Sequence, residues 1–168
     1  MGTHSIEPFQ AIRSYRSITG MPDIGERAAA RSSEGTVAFT LVDDTPVFGV
    51  NSNALAYTAN DQASAEEMRD RLVGLYPETM RSDNLGWKPN DALFHAEVNA
   101  LLRASSVSNG TLSGRTLTIR IDRELCRSCE TVLPKIGVEL GNPTVRFIDG
   151  RSELWIILDG IWIAGGRR

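Results

Sequence analysis

The 168-residue chain has only two cysteines, two histidines and no long apolar run. Its longest apolar stretches are strand-like pieces such as LWIIL (154–158), far below the roughly 20 residues that a bilayer crossing needs. A soluble protein is predicted, with no membrane partner. The N-terminal MGTHSIEPFQAIRSYRS lacks the basic, then apolar, then small-residue layout of a secretory signal, so no cleaved export signal is expected in the chain. Its first residues read as an added tail or as the stub of a larger polypeptide. A strong charge of either sign is also missing. The formal net charge of −3 argues against a wholesale electrostatic grip on nucleic acid.

The scarcity of cysteine narrows the chemistry further. Cys126 and Cys129 form a C-x-x-C, in which a structural disulfide would close almost no loop and stabilise little. Redox or metal chemistry is the better reading, and a metal would need a further ligand from elsewhere in the chain. The charge is also unevenly spread, net −6 over residues 1–100 and +3 over residues 101–168. Arg103, Arg115, Arg120, Arg123, Arg127, Lys135 and Arg146 could line a phosphate-bearing surface. The plainer alternative is solvated side chains on helix and strand exteriors.

At 41% apolar, the chain is long enough for one compact domain with its own core. Residues 1–34 read as a leader or linker: FQAIRSYRSI can form a short helix, and the Gly-, Ser- and charge-rich stretch after it reads as loosely packed. His4 falls in this leader as a surface residue. The domain proper is expected over residues 35–168. TVAFTLV (36–42), a turn over residues 43–46 and VFGVNS (47–52) predict a hairpin. Ser64-Ala65-Glu66-Glu67 has the form of a capping box and predicts a helix to about Tyr76. Asn90 or Asp91 can cap a helix over DALFHAEVNALLRA. RTLTIRI (115–121) alternates like a half-buried strand, and a helix over ELCRSCETVLPKIG follows from Asp122 or Arg123, shortened or kinked at Pro134. TVRFID and ELWIIL are joined too closely for a parallel pair, and Asp159-Gly160 marks a tight hairpin into a short last strand, IWIA.

Three residues in this layout have the types and spacing of ligands to one zinc ion: His95, Cys126 and Cys129. Each ligand lies near a predicted helix start, where the positive end of the helix favours thiolate. A single strand separates the two helices, so a right-handed crossover brings their N-terminal ends together. Three protein ligands leave a fourth position for water, as catalytic zinc sites do. Glu97, two residues after His95, is placed to move that water's protons.

The run H-A-E, one strand, then C-x-x-C resembles the zinc-dependent nucleotide and nucleobase deaminase superfamily, marked by H-x-E and P-C-x-x-C. The likeness covers about residues 35–163. It implies a cytidine-deaminase-like α/β/α sandwich with a mixed five-stranded sheet, strands four and five antiparallel. By position it makes His95, Cys126 and Cys129 the Zn2+ ligands and Glu97 the general acid and base, for water attack at C4 of cytosine or C6 of adenine. Leu125 stands where the family usually has proline. With that departure, the short link between strands four and five and the segment LCRSCETVLPKIGVELGNPTVRFID look most like the C-terminal deaminase domains of bacterial polymorphic toxins.

That resemblance implies delivery from the producing bacterium, action in the target-cell cytoplasm and a cognate immunity protein. It further implies a cytosine deaminase acting on nucleic acid, with single-stranded DNA the first choice because its bases are already unstacked. A free nucleoside, nucleotide or RNA deaminase is the alternative, and a structural zinc-binding interaction module is the alternative of another class. For substrate contacts, Asn51 in Gly49-Val50-Asn51 resembles the family's G-x-N sugar contact, or is a turn asparagine. Trp87 could stack on a base or anchor its loop, and Phe48 could stack or pack inside.

Overall fold

The computed structural model describes residues 7–24 and 35–165. His4 and most of the Gly- and Ser-rich part of the leader lie outside the described residues. Among those described, no helix is long and apolar enough to cross a membrane.

Strands β1 (Val37–Val42) and β2 (Thr45–Val50) form the expected antiparallel hairpin, with Val37 opposite Val50 and Val42 opposite Thr45. Its turn is only Asp43-Asp44, shorter than the four residues expected. Both have positive φ, 48° and 65°, as a two-residue hairpin turn matching the strand twist requires. Pro46 therefore lies in β2, which the sheet order places at an edge, where proline is tolerated.

Helix α1 (Pro8–Ile18) begins with Pro8 at its first position, and the Glu7 carboxylate accepts the Phe9 and Gln10 N–H groups at 3.1 and 2.7 Å. Helix α2 (Ala59–Leu75) starts five residues before the expected Ser64 box. Thr58 and Asp61 make the reciprocal bonds instead: Thr58 Oγ1 accepts the Asp61 N–H at 3.1 Å, and Asp61 Oδ2 accepts the Thr58 N–H at 2.8 Å. T-x-x-D does the same work as S-x-x-E.

The helix expected from residue 91 is two elements. A 3₁₀ turn (Asn90–Phe94) is broken from helix α3 (Ala96–Val107) by His95, whose backbone is extended at φ −93° and ψ 160°. Strand β3 (Thr116–Ile121) alternates exposed and buried as expected. Helix α4 (Arg127–Glu139) begins later than Asp122 or Arg123 and runs on five residues beyond Pro134. Strands β4 (Thr144–Ile148), β5 (Leu154–Leu158) and β6 (Ile161–Ala164) follow.

The sheet is mixed and has six strands in the order β2-β1-β3-β4-β5-β6, not the five expected. The strand beyond the five that the resemblance implies is β6, the short last strand expected from Asp159-Gly160: these residues, at φ 52° and 76°, turn the chain back so that Ile161 pairs with Leu158. β3 and β4 are parallel, with α4 in the crossover between them, and β4 and β5 are antiparallel as expected.

Two apolar clusters show the layers. Ala38, Val47, Leu117, Ile119, Val145, Phe147 and Ile157 face the buried sides of α2, α3 and α4. Val37, Phe39 and Val50 face α1 across the other side of the hairpin, where Ile12 is fully buried. The result is an α/β/α arrangement. α1 is also tied by Arg16, 1% exposed, whose Nε donates to Asp122 Oδ2 at 2.8 Å and whose other nitrogens reach the carbonyls of Pro22 and Gly35.

Candidate metal centre

His95 and Cys126 occupy equivalent places, each the extended residue just before a helix. Cys126, at φ −80° and ψ 161°, caps α4, its Sγ accepting the Cys129 N–H at 3.3 Å. Cys129 is therefore at the third position of α4, on the same side as the cap. His95 is at the cap of α3 rather than inside its first turn as expected, and Glu97 is the second residue of that helix. The positive ends of α3 and α4 thus converge on these side chains.

His95 Nδ1 lies 3.3 Å from Cys129 Sγ and 3.4 Å from Cys126 Sγ, and the three donor atoms all fall within 4.8 Å of one another. Tetrahedral zinc, with bonds of about 2.3 Å to sulfur and about 2.0–2.1 Å to nitrogen, would separate S from N by about 3.5 Å. One imidazole nitrogen and two sulfurs at this spacing fit such an ion. Their chemistry agrees, since soft thiolates with imidazole suit zinc better than calcium or magnesium.

Glu97 is 3% exposed, and its Oε2 accepts from Cys129 Sγ at 3.5 Å. Burial pushes its pKa up, the negative Cys126 adds to the rise, and His95 works against it. Glu97 therefore holds a proton more readily than a surface glutamate. Cys126 is drawn down to about 4, first by the hydrogen bond from Cys129 and then, against burial, by His95. Cys129 is pushed well up, by that same bond with Cys126, by burial and by Glu97. Burial tends to lower His95, but hydrogen bonding to Cys126 and its charge outweigh that and raise it. A divalent cation bound by the two sulfurs would displace their protons.

Of the three substrate candidates, the structure brings Asn51 to this centre. Asn51 Oδ1 accepts the Ala96 N–H at 3.1 Å, and the Ser52 N–H donates to the Phe94 carbonyl at 2.9 Å, so the end of β2 is pinned beside His95. Gly49 makes the approach possible: a Cβ there would overlap the Ala96 carbonyl and come within 2.5 Å of Ala100 N. Trp87 is 77% exposed in the loop before the 3₁₀ turn, and its carbonyl accepts the Asp91 N–H at 3.0 Å. Phe48 is not brought to the centre. Strand alternation turns it to the other face of the sheet from Gly49, where its ring stacks on Tyr15 at 4.2 Å and leans on Phe39 at 5.1 Å.

The basic residues do not form one surface. Arg103 binds Asp61 through two nitrogens at 2.9 and 2.5 Å and reaches the carbonyls of Phe48 and Ala56, fastening α3 to β2 and α2. Arg115 pairs with Asp43 at 3.0 Å. Lys135 donates to the Thr131 carbonyl and lies over the Tyr76 ring. Arg123 packs against Gly35, and Arg120 and Arg146 project from the face of the sheet opposite α3. Arg127, exposed in the first turn of α4, is adjacent in sequence to Cys126.

Sequence reasoning missed two polar residues near the centre. Asn99 is 1% exposed; its Oδ1 accepts the Val50 N–H at 2.9 Å, and its Nδ2 has no partner among the described residues. A lone asparagine in the apolar run EVNALL was the available signal. Asp91 lies one turn before His95 with one buried oxygen unpartnered, and its spacing of four from the histidine was legible. Leu125, 1% exposed, fills the core where the superfamily usually has proline.

Comparison with curated proteins finds no match for the chain. Against family models, the MafB19-like deaminase model matches residues 13–144, which takes in the second half of α1, the hairpin, α2 and every residue of the cluster just described. With most of its length matched and His95, Glu97, Cys126 and Cys129 gathered at two helix starts, the chain belongs to the MafB19-like deaminases, a cytidine-deaminase-like family associated with polymorphic toxins.

Proposed function

We propose that this deaminase is a zinc enzyme that converts cytosine to uracil in single-stranded DNA. The observation that carries the reading is the buried Glu97 carboxylate beside a compact His95, Cys126 and Cys129 donor set. Zinc held by these three residues would supply an activated water, its pKa lowered from about 15.7 to about 7. Glu97 would take one proton from the attacking water and give it to the ring nitrogen, then carry the second proton, from the added hydroxyl, to the departing amine. The C4–N bond breaks, a C–O bond replaces it and ammonia leaves. The raised pKa of Glu97 suits a group that must both accept and give a proton near neutrality.

Asn51, fixed by Ala96 at the edge of the centre, is assigned to the sugar. Trp87, exposed on the loop leading into the 3₁₀ turn, is assigned to stacking on a base, worth about 1–3 kcal/mol in known systems. Arg127 supports a phosphodiester substrate. The same reading has the domain delivered into competing bacteria, acting in the target-cell cytoplasm and restrained in its producer by an immunity protein; the family's association with polymorphic toxins supports it.

The test offers cytidine, single-stranded DNA, duplex DNA and RNA to the purified protein and sequences the products. C-to-T changes concentrated in single-stranded DNA are expected. A-to-G changes would overturn the choice of base, and conversion of cytidine with polymers untouched would move the substrate to free nucleosides.

A further inference from the structure

His95 presents its two ring nitrogens to different neighbours. Nδ1 faces the two sulfurs at 3.3 and 3.4 Å, and Nε2 faces Asp91 Oδ2 at 4.0 Å, four residues earlier in the 3₁₀ turn. The other Asp91 oxygen is buried without a hydrogen-bond partner among the described residues. A buried carboxylate oxygen left unpaired costs free energy unless the group serves another end. Asp91 is not capping a long helix, since the turn that carries it has five residues and makes no side-chain cap bond.

We infer that Asp91 is the positioning residue of the metal centre: its carboxylate accepts the Nε2–H of His95 and so fixes the ring with Nδ1 toward the ion. This deepens the proposed function and rests on its zinc reading. The chemistry requires such a partner. When Nδ1 is a ligand, the neutral imidazole carries its proton on Nε2, and the group that accepts this proton fixes both tautomer and ring plane. The 4.0 Å separation closes to a hydrogen bond with a shift of about 1 Å, small for a side chain on a 3₁₀ turn next to the extended His95. Since the Asp91 N–H is bonded to the Trp87 carbonyl, the same turn ties the exposed aromatic loop to the histidine.

The experiment measures zinc affinity by chelator competition, and the cobalt-substituted absorption spectrum, for the wild type, Asp91→Ala and Asp91→Asn. Removing a carboxylate that orients a ligand histidine weakens metal binding by about 10–100-fold. Asp91→Ala should show that loss and an altered cobalt spectrum, while the metal-free protein melts no lower than the wild type because the buried unpaired oxygen is gone. Asp91→Asn, which keeps an acceptor oxygen, should recover most of the affinity. If Asp91→Ala does not fold, Asp91→Ser replaces it in the same contrast. Wild-type affinity in the alanine or serine variant overturns the inference, and so does an asparagine variant as weak as either. Failure of the wild type itself to bind zinc is a separate result that overturns the zinc reading of the centre.

Discussion

Two buried polar groupings flank the carboxyl end of β3. On the α1 side, Arg16 and Asp122 meet at 2.7 Å with their side chains 2% and 0% exposed. The guanidinium is fully engaged by Asp122 and two carbonyls, and Asp122 Oδ1 accepts the Val37 N–H at 2.9 Å. Opposite charges and matched donors close this grouping on itself. On the other side, His95, Cys126, Cys129 and Glu97 bring together groups whose deprotonated forms are all acceptors or anions. Burial and the Cys126 charge push Glu97 up, while hydrogen bonds from Cys129 and, against burial, from His95 draw Cys126 down to about 4. The first grouping is complete without a ligand. The second is shaped for a cation.

The largest expected effect sharpens that contrast on the cation side. Glu97→Gln should lower deaminase activity by about 10²–10⁴-fold, the usual contribution of general acid–base catalysis, while metal content per chain stays at the wild-type value. Loss of metal instead would make Glu97 a structural partner of the thiols. The next test breaks the closed grouping: Arg16→Met strands a buried carboxylate and should cost about 3–5 kcal/mol in denaturant unfolding. Adding Asp122→Asn should return much of it, since burial already pushes the Asp122 pKa up and the charge pair stands against a desolvation cost.

A smaller loss is expected where the two sides are joined. Gly49→Ala places a methyl group against the backbone of α3 and should cost about 1–3 kcal/mol as overpacking, with weaker zinc binding because the start of α3 carries His95. The mildest test concerns acid. Burial tends to raise the Asp61 pKa, but Arg103 and the Thr58 cap outweigh it and hold it at about 2, below the ordinary 3.8. Its contribution to stability is therefore complete above about pH 3.8 and fades as pH falls toward 2. Thermal melts between pH 5 and 2 should fall more steeply for the wild type than for Asp61→Asn.

The convergence of His95, Cys126 and Cys129 was legible because H-A-E and C-x-x-C display residue types and a spacing that suit metal ligation. The hairpins were legible from the run Asp43-Asp44-Thr45-Pro46, of which only the two aspartates prove to be the turn, and from Asp159-Gly160. What sequence could not fix was where competing local solutions end. Thr58 won the cap over Ser64 because its reciprocal partner Asp61 is also anchored by Arg103, a contact 42 residues away. His95 looked like one more helical residue, yet its extended backbone separates the 3₁₀ turn from α3 and aims the imidazole at the thiols. The direction in which Phe48 points follows from strand register, and the dispersal of the arginines from tertiary pairing; neither has a local signature. The four conspicuous residues that the structure gathers were visible in the sequence, and the asparagine and glycine packed beside them only in part.

The two-residue turn at Asp43-Asp44 carries more responsibility than its size suggests. It sets which residues of β2 look toward α3, and side chains along a strand alternate with a period of two. Sliding β2 by a single position would present Phe48 or Val50 to the helix backbone that now accepts only Gly49, and Asn51 would swing away from Ala96. The hairpin thus acts as a gauge for the centre, and lineages that lengthen or shorten this loop by one residue should compensate with a bulge farther along β2.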